Sequence, residues 1–151
     1  MKGYDIAKTM TGMNEVTNYK ELNAYLAKFA IKGDIKIDVR KTPWCAAQMN
    51  AWERAAGNPG ITVNALAARY FISYGDPIKL EDAKVGDIVV FARGHNGNLG
   101  HVAYFLDVVG HGENRVIMHL GGNQWNIHRG ASDEINIGAT PLTRLLAIRR
   151  K

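Results

Sequence analysis

With 151 residues, 46% of them hydrophobic, the chain has the size and composition of one compact domain with a single core. Its formal charge of +5 favours an anionic partner. The basic residues are scattered, however, outside the tail Arg149-Arg150-Lys151, and no Lys/Arg run interleaves with stacking aromatics, which argues against nucleic acid. The single cysteine, Cys45, excludes an intramolecular disulfide and a multi-cysteine zinc knuckle, and no stretch approaches the roughly 20 apolar residues of a bilayer span.

The opening MKGYDIAKTMTG lacks the apolar core and small-residue cleavage site of a secretory signal, so synthesis in a cytoplasm is expected. Leu22, Tyr25, Leu26 and Phe29 fall at i, i+3, i+4 and i+7 and predict a helix with one apolar face, broken by Lys32-Gly33-Asp34. Thr42-Pro43-Trp44-Cys45 is a helix-start signal, with Thr42 as N-cap and Pro43 at the first helical position. Cys45, Met49, Trp52 and Ala56 then share one face, and Gly57-Asn58-Pro59-Gly60 stops the helix. Val63, Leu66, Ala67 and Tyr70 align as a third helix.

Beyond Tyr74 the pattern changes to strands. Residues 86–92 form a short apolar run bounded by turn residues, and a Gly/Asn-rich loop over 93–100 leads into a strand at 101–106. A turn over 110–114 precedes a strand at 116–120, and 145–148 makes the last. Helices come first and strands second, which predicts a single α+β domain over 1–151. Its helical part spans about 1–75 and its antiparallel sheet about 85–150.

If Thr42 is the N-cap, Cys45 lies in the first helical turn. Unpaired backbone N–H groups and the positive dipole end there favour the reactive thiolate and can also hold an oxyanion. The competing reading is a small buried hydrophobe on a face shared with Met49 and Trp52. His101 stands at the mouth of a strand, where it can meet a helix N-terminus across a cleft, take the thiol proton and return it to a leaving amine. A third polar group must fix the imidazole tautomer. Ile117, His119 and Gly121 alternate to one face, and the same parity reaches Asn123 if the strand stays regular, so Asn123 and His119 are the two candidates. Trp44, Trp125 and Gln124 are candidate substrate-binding residues, although Trp44 suits the underside of a sheet equally well. His95 is expected to be exposed.

Four segments in this order carry a family resemblance: Thr42-Pro43-Trp44-Cys45-Ala46-Ala47-Gln48 opening a helix, Val85-Gly86-Asp87-Ile88-Val89-Val90-Phe91, Gly100-His101-Val102-Ala103-Tyr104-Phe105, and Leu120-Gly121-Gly122-Asn123-Gln124. Together they resemble the CHAP and NlpC-like cysteine peptidases, papain-like amidohydrolases that cut amide bonds in bacterial peptidoglycan. The resemblance runs from about Trp44 to Arg149. It implies a papain-like fold, with N-terminal helices packed on a small antiparallel sheet. It also implies Cys45 as nucleophile, His101 as base and Asn123 as the orienting residue. His119 is the rival for that third role, because NlpC-like members often place a histidine on the next strand. Asp87 matches a structural aspartate of the family. Peptidoglycan is the implied partner, with no cofactor, no stable membrane insertion and a monomeric state expected. A small, basic member without an export signal resembles a bacteriolytic phage endolysin, made in the host cytoplasm and reaching the wall after membrane permeabilisation.

Two other functions compete. A zinc amidase would draw about three ligands from His95, His101, His111, His119, His128 and Asp107, although no HExxH helix is present. A non-catalytic wall-binding module is the other alternative.

Overall fold

A computed structural model describes residues 1–30, 36–62, 65–95, 97 and 99–151, Ser132 by its backbone alone. Among the described residues three α-helices come first: α1 (Gly3–Thr9), α2 (Tyr19–Phe29) and α3 (Cys45–Ala55). The strands are β1 (Asp76–Pro77), β2 (Ile88–Ala92), β3 (Gly100–Val109), β4 (Val116–Asn126), β5 (Ala131–Pro141) and β6 (Leu145–Arg150). They form one antiparallel sheet in the order β1-β6-β2-β3-β4-β5. The architecture is therefore α+β, with helices preceding the sheet as expected. Among the described residues no helix is long and apolar enough to cross a membrane.

Strand alternation divides the sheet into two buried faces. On the inner face, Val90, Val102, Tyr104, Leu120 and Ile135 pack with Leu22 and Leu26 of α2 and with Met49 and Trp52 of α3. The predicted stripe of α2 is thus the one it buries, with Tyr25 and Phe29 at its margin; its expected break at Lys32-Gly33-Asp34 lies outside the described residues. On the outer face, Val89, Phe91, Ala103, Phe105 and Ile117 are closed over by Ile78, Leu80, Leu142 and Leu145. Covering both faces explains why 88–91 is a continuous apolar run rather than an alternating one.

Buried acids tie these layers together. Glu53 of α3 accepts hydrogen bonds from Tyr104 (2.6 Å), Tyr74 (3.0 Å) and the Asn58 amide (2.8 Å), so three donors offset the cost of burying its charge. Burial and the adjacent carboxylate push both phenol pKa values up. Asp87, also buried, accepts from the Lys84 N–H (2.8 Å) and takes both prongs of the Arg150 guanidinium at 2.7 Å. Arg149 donates to the carbonyls of Tyr74 and Gly75. The basic tail is consequently not free to steer toward an anionic surface: its two arginines fasten β6.

Several local expectations require correction. Helix α3 begins at Cys45, with Trp44 as an N-cap that makes no side-chain cap bond. Thr42 belongs instead to a preceding turn, in which the Asp38 carbonyl accepts from the N–H groups of Lys41 and Thr42. The Asp38 side chain reinforces that turn through the Arg40 N–H, so Asp38 rather than Thr42 captures the local donors. The third helix is a 3-10 helix over Ala68–Ser73 that buries Ala68 and Phe71 and leaves Leu66 and Tyr70 exposed, and Val63 lies outside the described residues. Strand β5 was not anticipated, yet it pairs with β4 from Val116↔Pro141 to Asn126↔Ala131.

The remaining correction bears on chemistry. Strand β4 does not stay regular: its register with β5 shifts between Gly121 and Gln124 and again before Trp125, and Asn123 adopts φ 55°. Among non-glycine residues, Asn tolerates this left-handed conformation well, and such a residue is how a β-bulge re-aims the side chains beyond it. The parity that should have carried Asn123 to the face of His119 therefore carries Gln124 there.

Candidate active site

Two neighbouring groups of residues make up the candidate site. The first is Cys45, the opening residue of α3, only 5% exposed. Burial pushes the thiol pKa up and outweighs the charge of Arg93 and the backbone N–H groups of Val102, Ala46 and Cys45, which pull it down. The magnitudes explain this result. A helix terminus supplies about 0.3–2 kcal/mol, whereas full burial shifts a pKa by up to 3–5 units, each worth about 1.36 kcal/mol. The resting sulfur is a neutral thiol, not the thiolate that helix-start placement alone predicts.

The second group lies on the outer face of the sheet, at the ends of β3 and β4. His101 Nε2 is 2.8 Å from Gln124 Oε1, and His119 Nδ1 is 2.7 Å from the same oxygen. Gln124 Nε2 donates to the Asn136 carbonyl at 2.7 Å and to its side-chain oxygen at 3.1 Å. Because a backbone carbonyl only accepts, the amide orientation follows: its nitrogen faces Asn136 and its oxygen faces the two imidazoles. Both imidazoles must then donate to it, which puts the His101 proton on Nε2 and the His119 proton on Nδ1. His119 Nε2 is left to accept from the Thr140 hydroxyl at 2.8 Å. His101 Nδ1 is left with a lone pair facing Arg93 Nη2 at 3.3 Å.

Both rings are neutral in this network. Burial first, then the neighbouring His119 and Arg93 outweigh the opposing Gln124 bond and lower the His101 pKa to about 3. Burial lowers that of His119 to about 4, again against Gln124. Two glycines make room for the central amide. A Cβ at Gly121 would stand 2.6 Å from Gln124 Oε1 and 2.9 Å from Ala103 Cβ, and one at Gly138 would stand 3.0 Å from both Gln124 Nε2 and His119 Cε1. A cavity of about 290 Å³ opens beside the cluster, lined by Arg93, His101, His119, Trp125, Thr140 and Arg144 among others.

The predicted site residues are thus distributed unevenly. His101, His119 and Gln124 come together, and Trp125, 60% exposed, edges the cavity. Cys45 does not line that cavity; its thiol sits on the helix side of β3 by the Val102 backbone, and Arg93 is the residue that acts on both it and His101. Asn123 is buried at the bulge, and Gln124 occupies the place behind the imidazole expected for it. Gln124 lines the cavity, and its oxygen and nitrogen are hydrogen-bonded to the two imidazoles and to Asn136. Trp44 is fully buried, with its indole N–H on Glu15 at 2.8 Å, so it lines no groove. His95, His111, His128 and Asp107 are exposed and contribute nothing to the cluster. Among the described residues no three His, Cys, Asp or Glu side chains converge as metal ligands.

Arg93, Thr140 and Arg144 escaped the sequence reading. Arg93 and Arg144 lie in no pattern that marks them, and Thr140 belongs to the strand that was not expected. The Gly-Gly-Asn tripeptide was the usable signal for Gln124, since glycine inside a strand marks a bulge. No family model matches the chain, and no curated protein matches it.

Proposed function

We propose that the protein is a peptidoglycan hydrolase, of the phage endolysin kind, that cuts an amide bond of the stem peptide with Cys45 as nucleophile and His101 as base. The observation that carries this reading is the position of Arg93. Its guanidinium lies 3.3 Å from His101 Nδ1 and its charge lowers the pKa of the Cys45 thiol, so one cation acts on both the sulfur and the imidazole. The wall substrate and the papain-like fold rest on the order of the four motifs from Trp44 onward.

In this mechanism Gln124 holds the His101 proton on Nε2, which leaves Nδ1 as the basic atom. The thiol lies on the helix side of β3 and the imidazole on the other face, so Arg93 swings off Nδ1 when substrate enters and the Cys45 proton reaches Nδ1 around the end of β3, where Arg93 stood. The sulfur adds to the amide carbonyl carbon, and backbone N–H groups at the start of α3 receive the oxyanion. The carbon–nitrogen bond breaks as the Nδ1 proton passes to the departing amine, leaving an acyl-thioester. His101 then deprotonates a water that releases the acid and restores the thiol. Gln124 replaces Asn123 and His119 as the residue fixing the tautomer, and His119 supports Gln124 from the far side.

Digestion of purified peptidoglycan, followed by mass spectrometry of the soluble fragments, tests the substrate class. New amino and carboxyl termini at one stem-peptide position are expected. Intact glycan peptides after prolonged incubation with folded protein would contradict the proposal.

A further inference from the structure

We infer that the cavity on the outer face of the sheet is a carboxylate subsite, in which Arg93 and Arg144 hold the free carboxylate of a peptide ligand. This rests on the reading of the protein as a peptide-cleaving enzyme and names the group of the substrate that the cavity takes. Among the described residues no Asp or Glu lines the cavity, and its two histidines are neutral, so the formal charges there are the two guanidinium groups. An unbalanced pair of cations beside a closed sheet face concentrates anions.

The disposition of the other arginines sharpens the point. Arg40, Arg129 and Arg150 are paired with Asp38, Asp133 and Asp87. Arg54, Arg69, Arg115 and Arg149 donate to backbone carbonyls. Each of these has a structural acceptor for its donors. Arg93 spends one Nη2 on a neutral imidazole, and the exposed Arg144 makes no hydrogen bond or ion pair among the described residues. Guanidinium donors without an anionic partner suit a planar carboxylate, which they can grip by two parallel bonds. Trp125, at the cavity edge, offers an apolar face for the side chain that accompanies the carboxylate. Arrival of the carboxylate also supplies a reason for Arg93 to leave His101 Nδ1, which frees the base only when substrate is present.

The test uses the full chain carrying Cys45→Ala, to prevent turnover, titrated with the stem peptide L-Ala-D-isoGln-L-Lys-D-Ala. Its terminal carboxylate is its only one, and the matching carboxamide is the control. Calorimetry gives the affinities, and nitrogen-15 NMR follows the arginine side-chain signals. The free acid is expected to bind about ten-fold or more tightly than the carboxamide and to move the Arg93 and Arg144 Nε signals. Adding Arg144→Gln, a change at an exposed position, is expected to abolish that ten-fold preference. Equal affinity for acid and amide, a preference that survives Arg144→Gln, or signals moved by inorganic phosphate but not by the peptide would each overturn the assignment. A preference that persists in a protein whose wall lysis does not need Cys45 would keep the subsite and remove the thiol mechanism.

Discussion

Gln124 Oε1 lies 2.8 Å from His101 Nε2, and this contact decides which nitrogen of the imidazole carries its proton. The same oxygen receives His119 Nδ1–H at 2.7 Å, so one buried amide orients two rings. Replacing Gln124 by Ala strands two buried N–H donors and should cost about 2–6 kcal/mol of stability, judged from about 1–3 kcal/mol for each orphaned group. Urea unfolding measures this, and a loss under 1 kcal/mol would show that the amide does not hold the rings. Gln124→Glu places a carboxylate beside both imidazoles and should raise both pKa values, which NMR titration of the ring protons reads directly.

Acid should unfold the protein through the same pair. The folded pKa of His101, about 3, and of His119, about 4, lie below the unfolded value near 6.5, so the unfolded chain binds more protons between them. Their contribution is therefore fully present above about pH 6.5 and is lost as pH falls toward 4 and then 3. The melting temperature should decline through that window, and His119→Gln should flatten the decline. An identical pH slope in that variant would contradict the assignment.

Catalysis should follow a related profile. With the His101 pKa lowered and the Cys45 pKa raised, the state holding one transferable proton spans neutral pH. The acidic limb of wall lysis should fall well below pH 6.5. An acidic limb at pH 6.5 or above would mean that the base is a solvated histidine rather than His101.

Glu53 offers a control away from the cluster. Glu53→Ala leaves the hydroxyls of Tyr104 and Tyr74 without their shared acceptor and should destabilise by about 3–5 kcal/mol, whereas Glu53→Gln keeps an acceptor and should cost less. Denaturant midpoints compare the two. A neutral Glu53→Ala would show that the carboxylate is not what ties α3 to β3.

Much of this molecule was legible in its residue pattern, and the failures have physical causes. The stripe of α2 and the strands around Val90 and Val102 follow from apolar periodicity, because burial there is set by local spacing. The segment 131–141 escaped because Asn136, Gly138 and Ser132 weaken its alternation; pairing with β4, a tertiary effect, makes it a strand. Asn123 failed for a sharper reason. Parity arguments assume a regular strand, and one left-handed residue at φ 55° shifts every side chain beyond it. The raised thiol pKa was equally hidden, since sequence places Cys45 near a helix start but does not give the depth at which helix and sheet enclose it.

In the proposed mechanism the sulfur of Cys45 performs the cleavage. Release of soluble fragments from purified peptidoglycan by the wild-type chain and by Cys45→Ala, with folding of both verified by circular dichroism, tests it most directly. Release by the wild type is expected, with a loss of at least about a thousand-fold in the variant, the scale seen when a covalent nucleophile is removed. Lysis at an unchanged rate by Cys45→Ala would contradict it.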